Sequence, residues 1–208
     1  VSSGVCGAMV GCQGQDLYRA EKKLNPFEEI VWMDASAEAV AEGEILGDCI
    51  NLTRRLINEP PSTMTPVRFA QEATELAQQY GLEIEVWDAA KLEQQRCGAL
   101  LAVARGSAHP PRLVTLKYRG SQDESPVLGL VGKGVTFDSG GYSLKPSEGM
   151  KTMKCDMGGA ATVLGTMVAA ARLNLPLSVN GYMGLVENMV SGDAYKLGDV
   201  LTARSGKT

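Results

Sequence analysis

The residues of this chain best suited to chemistry are Lys133, Asp138, Lys145 and Asp156, all within VLGLVGKGVTFDSGGYSLKPSEGMKTMKCDMGG, residues 127–159. An apolar run leads into a glycine-rich loop that carries Lys133, Asp138 and Lys145. Asp156 stands just before Gly158 and Gly159, where a second apolar segment begins. With flanks that read as buried, carboxylates and amines are costly to desolvate unless they pair or bind a metal. Two aspartates converging in a glycine-rich cleft suit a hard or borderline divalent cation, and Gly140 and Gly141 let backbone approach closely. Taken alone, Lys133 and Asp138 could equally be a buried salt bridge that holds the loop. A phosphate loop is excluded at two positions. Val127 stands where the first glycine is needed, and Gly134 follows the lysine where Ser or Thr is needed.

Strands and helices alternate around this stretch. Val127 to Val131 is apolar without alternation, which predicts a central strand buried on both faces. Ala160 to Leu173 predicts an alanine-rich helix, and Leu177 to Met183 the next strand. Upstream, Ser36 caps a helical stripe that runs through Val40, Ile45, Cys49, Leu56 and Ile57 to the stop at Asn58-Glu59-Pro60-Pro61. Thr65-Pro66 opens a second helix, closed by Gly81. Leu82 to Trp87 alternates apolar and acidic residues, as an edge strand does, and Asp88 caps a short helix through Arg96. Leu100–Val103, Arg112–Tyr118 and Asp199–Ala203 read as further strands, and Glu29–Met33 as a short one. Val1–Gly14 shows no evident element, Asn25-Pro26 marks a turn, and GSQDESP is a polar loop. The pattern predicts an α/β fold: a three-layer α/β/α arrangement on a central, mostly parallel (mixed) sheet. Ligands of such sheets gather beyond the carboxyl ends of the strands. Residues 1–35 read as the end of an amino-terminal domain or linker, and 36–208 as the amino-terminal part of a catalytic domain.

Composition narrows the function classes. A 208-residue chain is long enough for a sizeable core, and no apolar run reaches the roughly 20 residues that span a bilayer. A formal net charge of −4, without a basic cluster beyond Lys22-Lys23 and Arg54-Arg55, disfavours nucleic acid as a partner. The five cysteines form no C-x-x-C pair, which argues against a thiolate zinc site and for reduced, mostly buried thiols in the cytoplasm. His109, the only histidine, precedes two prolines in a loop and cannot build a triad. Glu187-Asn188 reads as a turn after a strand or a wall of the cleft, and Asp193 and Asp199 as turn caps.

VGKGVTFDSGGYSLK followed by MKCDMGGAATV closely resembles the cytosolic leucyl aminopeptidases, a family of two-metal peptidases. NEPPSTMTP before it and ENMVSGDAYKLGDVLTARSGKT after it extend the likeness from about Ala37 to the end. The resemblance implies a hydrolase that removes amino-terminal residues from peptides through a metal-bound hydroxide, with two divalent ions (Zn or Mn), in a cytoplasmic homo-hexamer. It makes Lys133 and Asp156 ligands of one metal, Asp138 a bridge between both, and Lys145 the electrophilic catalytic lysine that also contacts substrate. Met153 lines the pocket for the first substrate side chain, while Met150 and Met157 read as core filling. A lysine ligates a metal only as the neutral amine. An ordinary lysine, with pKa near 10.4, reaches that form at pH 7 at a cost of about 4.6 kcal/mol, which nearby dications can supply.

The departures matter too. The family carries its remaining carboxylate ligands and a catalytic arginine in a motif of the form NTDAEGRL, which this chain does not contain. Three of five expected metal-binding residues are therefore present. The competing expectation is a non-catalytic fragment or homologue with a structural or assembly role. A third, DNA binding of the kind some relatives combine with peptidase activity, is opposed by the acidic balance.

Overall fold

Local signals in the middle of the chain set its elements, and tertiary packing decides them at both ends. A computed structural model describes residues 1–14, 18–24, 26–121 and 126–208. Helix α1 covers Ser2–Gly11 and α2 Ala37–Asn58, where the Ser36 hydroxyl accepts from the Ala39 amide at 3.2 Å. Helix α3, Pro66–Tyr80, is capped by Thr65 and ends at Gly81, whose φ of +67° is the left-handed turn-off. Strand β1 is Glu83–Trp87, followed by α4 (Ala89–Gln94, capped by Asp88) and α5 (Gly98–Ala104). Strands β2 (Arg112–Arg119) and β3 (Val127–Asp138) come next. The short helix α6 (Ser147–Met150), a 3₁₀ turn at Met153–Met157, α7 (Gly158–Arg172) and β4 (Ser178–Asn188) complete the order.

The sheet is mixed, in the order β1-β2-β4-β3. β1 pairs with β2 and β2 with β4 antiparallel, while β3 and β4 are parallel with α7 as their crossover. Helices cover both faces. A side chain added at Gly181 of β4 would meet Val163 and Met167 of α7, whereas one at Gly184, on the opposite face, would meet Leu100 of α5. Phe69, Leu56, Leu116, Leu164, Met167, Met183 and Leu185 are fully enclosed between α2, α3, α7 and the sheet. No described helix is long and apolar enough to cross a membrane.

Several expectations are corrected. Val1–Gly14 is largely helical, because α1 seats its small residues on α2. A Cβ at Gly43 would lie 2.6 Å from that of Val5, and Asn51 donates to the Met9 carbonyl at 3.1 Å. Packing of this kind carries no amphipathic stripe for a sequence reading to find. Leu100–Val103 is not a strand but the centre of α5; a short apolar run fits either element, and the three alanines of α5 (Ala99, Ala102 and Ala104) favour helix. Glu29–Met33 and Asp199–Ala203 join no ladder. In the second, Asp199 instead accepts from the Lys196 amide at 2.9 Å and closes a turn. The run Val127–Val131 is not buried on both faces. β3 is an edge strand of the described sheet, and Val131 is 83% exposed. Only two of the five cysteines, Cys49 and Cys97, are buried. Asn25 and part of the 120–126 loop lie outside the described residues.

Candidate metal centre

Lys133 and Asp138 stand in β3 itself, not in a loop beyond it. Five residues apart on a regular strand, their side chains would point to opposite faces. A register shift between Val135 and Asp138 changes that. Lys133 pairs with Gly184 and Asp138 with Asn188, so one extra residue on β3 is bulged out. Both side chains therefore share a face, which is how a bulge re-aims a residue beside a site.

Asp156 arrives from the other direction, on the 3₁₀ turn before α7. Two glycines let this segment press onto β3. A Cβ at Gly132 would be 2.7 Å from the Ala160 nitrogen, and one at Gly159 would be 2.8 Å from the Lys133 nitrogen. This close approach leaves Asp156 Oδ2 3.2 Å from Lys133 Nζ. That oxygen is buried and receives no hydrogen bond, although the Asp156 side chain as a whole keeps some exposure. The distance qualifies as an ion pair while the geometry does not make a hydrogen bond. Among the described residues this acceptor has an ion-pair partner and no hydrogen-bond donor.

Asp138 is better served. Its Oδ2 accepts from Lys145 Nζ, which also reaches the Asp138 carbonyl at 3.2 Å. Its Oδ1 accepts from Asn188 Nδ2 at 2.7 Å and from the Gly140 amide at 2.9 Å. Burial pushes this carboxyl up. The hydrogen bonds from Lys145, Gly140 and Asn188, with the Lys145 charge, outweigh it and hold Asp138 below the usual carboxylate range. Gly140 and Gly141, with φ of +91° and +61°, turn the chain so that Lys145 comes back over Asp138. The Lys145 amide is tied to the Ser139 carbonyl at 2.9 Å.

The four residues thus form two ion pairs, Lys133–Asp156 and Lys145–Asp138, each with one member on β3. Lys133 is 62% exposed, so the enclosed flank expected around it is open on the β3 edge. Met153 begins the turn that carries Asp156 and is half-buried. Asn188, read from sequence as a turn or a wall of the cleft, belongs to β4 and donates to Asp138; Ser139, which the sequence did not single out, donates to the Asn188 carbonyl. Neither could be placed without the β3–β4 register. Glu187 is also on β4, buried, and accepts from Ser107. His109 borders a groove with Pro61, Phe137 and Glu187, apart from the two ion pairs. A cavity of about 580 Å³ between α1, α2 and the segment around Phe27 contains none of the four residues. The buried Asp156 oxygen without a hydrogen bond points instead to β3.

The donors fit a divalent cation in kind: one amine and two carboxylates, of which Asp156 has a buried oxygen without a hydrogen-bond donor. They are fewer than the four to six or more that such ions take. Among the described residues no group of three or more His, Cys, Asp or Glu side chains could hold an ion without the lysine.

The model of the cytosol aminopeptidase family, catalytic domain, matches residues 51–208. The probable cytosol aminopeptidase of Rhodopirellula baltica is 59% identical over 204 residues, covering 98% of this chain and 40% of its own length. That of Solibacter usitatus is 42% identical over 211 residues, covering all of this chain and 44% of its own. The solved bottromycin maturation enzyme BotP, in complex with Mn, superposes with a TM-score of 0.89 at 43% identity. It is matched over 99% of this chain and 43% of its own. The chain therefore spans about 40% of the length of the curated relatives it matches. With its glycine-seated lysine and aspartates inside the matched segment, the chain belongs to the cytosol aminopeptidase family.

Proposed function

We propose that these residues serve a metal-dependent aminopeptidase that removes apolar residues from the amino termini of peptides. The observation that carries this reading is the buried Asp156 Oδ2, left without a hydrogen bond beside Lys133. In a family of peptidases, a structural neighbour of which is in complex with Mn, an unsatisfied acceptor of this kind is readily explained as a ligand. Lys133, Asp156 and Asp138 would hold two divalent ions, Zn or Mn. When bound, such ions polarise a peptide carbonyl and lower the pKa of water.

The chain's own groups supply the rest. Asp138 keeps Lys145 Nζ at one fixed place above the Gly140-Gly141 turn, where its N–H donors can meet negative charge growing on the carbonyl oxygen. Met153, on the turn that carries Asp156, would form the wall against which the first side chain of the substrate packs. The relatives' names support a cytosolic setting, and a homo-hexamer is part of the same proposal. A non-catalytic, structural role is the second reading. It is favoured by a donor set that stays at three among the described residues.

The deciding assay adds Mn²⁺ or Zn²⁺ to the protein at the full length of its relatives and follows release of a leucine chromophore. Activity should appear with metal and vanish with chelator. Turnover that survives the chelator, or no turnover in any metal, rejects the peptidase reading as stated.

A further inference from the structure

Asn188 is used by nothing in the proposal above, yet its surroundings are built with care. It is the last residue of β4, buried, and its Cα is opposite Asp138 just after the β3 bulge. Its Nδ2 donates to Asp138 Oδ1 at 2.7 Å. Its carbonyl accepts twice from Ser139, from the amide at 3.0 Å and from the hydroxyl at 2.8 Å. The Ser139 hydroxyl also accepts from the Gly141 amide at 3.2 Å. Gly141 closes over the far side of the amide, where a Cβ would lie 2.9 Å from Asn188 Oδ1. This fixes which way the amide faces. Turned over, it would set one acceptor oxygen against another on Asp138.

We infer that Asn188 is a positioning residue for the metal centre: by holding Oδ1 it fixes the plane in which the Asp138 carboxylate is presented to Lys145 and to the metal site. The inference rests on the metal-dependent reading given above. Carboxylate ligands are commonly oriented by an outer hydrogen bond, and its loss typically costs about 10–100-fold in metal affinity or activity. Among the described residues Gly140 remains as the only other donor to Oδ1. It sits on the turn rather than on the sheet, so it orients the carboxylate without tying it to β4. Removal of the Asn188 amide should free the carboxylate to rotate about its own bond, weakening the ion more than the fold.

The test uses the full-length protein and Co²⁺ alone, read by its visible absorption and by titration calorimetry. Asn188→Ala should weaken Co²⁺ by about 10–100-fold and alter the absorption band, with kcat falling more than KM changes. The melting temperature of the metal-free protein should stay close to the original. If Asn188→Ala does not fold, the isosteric Asn188→Asp replaces it. An acceptor in place of the donor should also change the Co²⁺ spectrum. An unchanged spectrum and affinity in the folded variant overturns the role of Asn188 and leaves the peptidase reading standing. No Co²⁺ bound by the unaltered protein overturns both.

Discussion

Lys145 and Lys133 are lysines beside aspartates, but their surroundings separate them. Lys145 is held at the turn by two contacts to Asp138 and is mostly shielded. Lys133 is open to solvent and touches an Asp156 oxygen that has no other partner. In the full-length enzyme, Lys145→Ala should therefore lower kcat by about 10²–10³-fold, the usual cost of removing one donor to a developing oxyanion, with KM much less affected. Steady-state kinetics checks this, and calorimetry with Mn²⁺ should show the ion still bound within about tenfold. Equal losses in kcat and in ion affinity would make Lys145 a support for Asp138 rather than a group acting on substrate. The residue types at this site were legible in the sequence because buried charge beside glycine is rare without a purpose. Asn188 was legible only as a turn or a wall of the cleft, not as a partner of Asp138. Its role depends on a bulge that shifts register by one residue, and single-sequence periodicity has no term for that.

Among the elements, α2 and α3 were the plainest in the sequence. Their caps are written in it: Ser36, Thr65-Pro66 and Gly81. How they attach to each other was not. Glu72 of α3, buried, receives Arg55 of α2 at 2.8 Å and Arg68 of its own helix at 2.5 Å. Burial pushes the Glu72 carboxyl up, and the hydrogen bonds and charges of Arg55 and Arg68 more than offset it, holding it below its ordinary value. A carboxylate with a depressed folded pKa contributes stability fully above its unfolded pKa, near 4.3, and loses it as pH falls through the folded value. Both arginines are partly exposed, so water screens the pair. Glu72→Gln should cost about 1–2 kcal/mol at pH 7. The difference from the original protein should shrink steadily below about pH 4.3. Urea midpoints of the two proteins from pH 7 down to 3 measure it. A gap that stays constant with pH would assign the loss to packing. The elements misread from sequence, α1 and α5, are those whose helical state comes from what they rest on. α1 lies against Gly43 and Gly47 of α2, and α5 beneath β4 at Gly184.

At the scale of the whole molecule, the candidate centre sits on the outermost described strand. β4 covers one edge of β3; the other edge is open among the described residues, and the side chains of Val127, Leu128, Val131 and Lys133, divided between the two faces of that strand, are exposed. Apolar strand edges normally pair, and exposed ones attract other copies of the chain. The same edge leaves a cation with one amine and two carboxylates, fewer donors than zinc or manganese takes. These two facts have one consequence for residues 1–208 produced alone. They should associate as concentration rises, bind Mn²⁺ at least about 100-fold more weakly than the full-length protein, and show no turnover. The 100-fold figure corresponds to about 2.7 kcal/mol, roughly what one or two missing ligand contacts cost. Val127→Lys separates the causes, because it charges the exposed start of β3, at the far end of the strand from Lys133 and Asp138. Sedimentation should then show a monomer over a wider concentration range, while Mn²⁺ affinity stays weak. If affinity recovered along with the monomer, self-association would have been masking the site, and the three donors of this chain would suffice. If both stay as they were, β3 is not the associating edge, and the missing donors alone account for the weak binding.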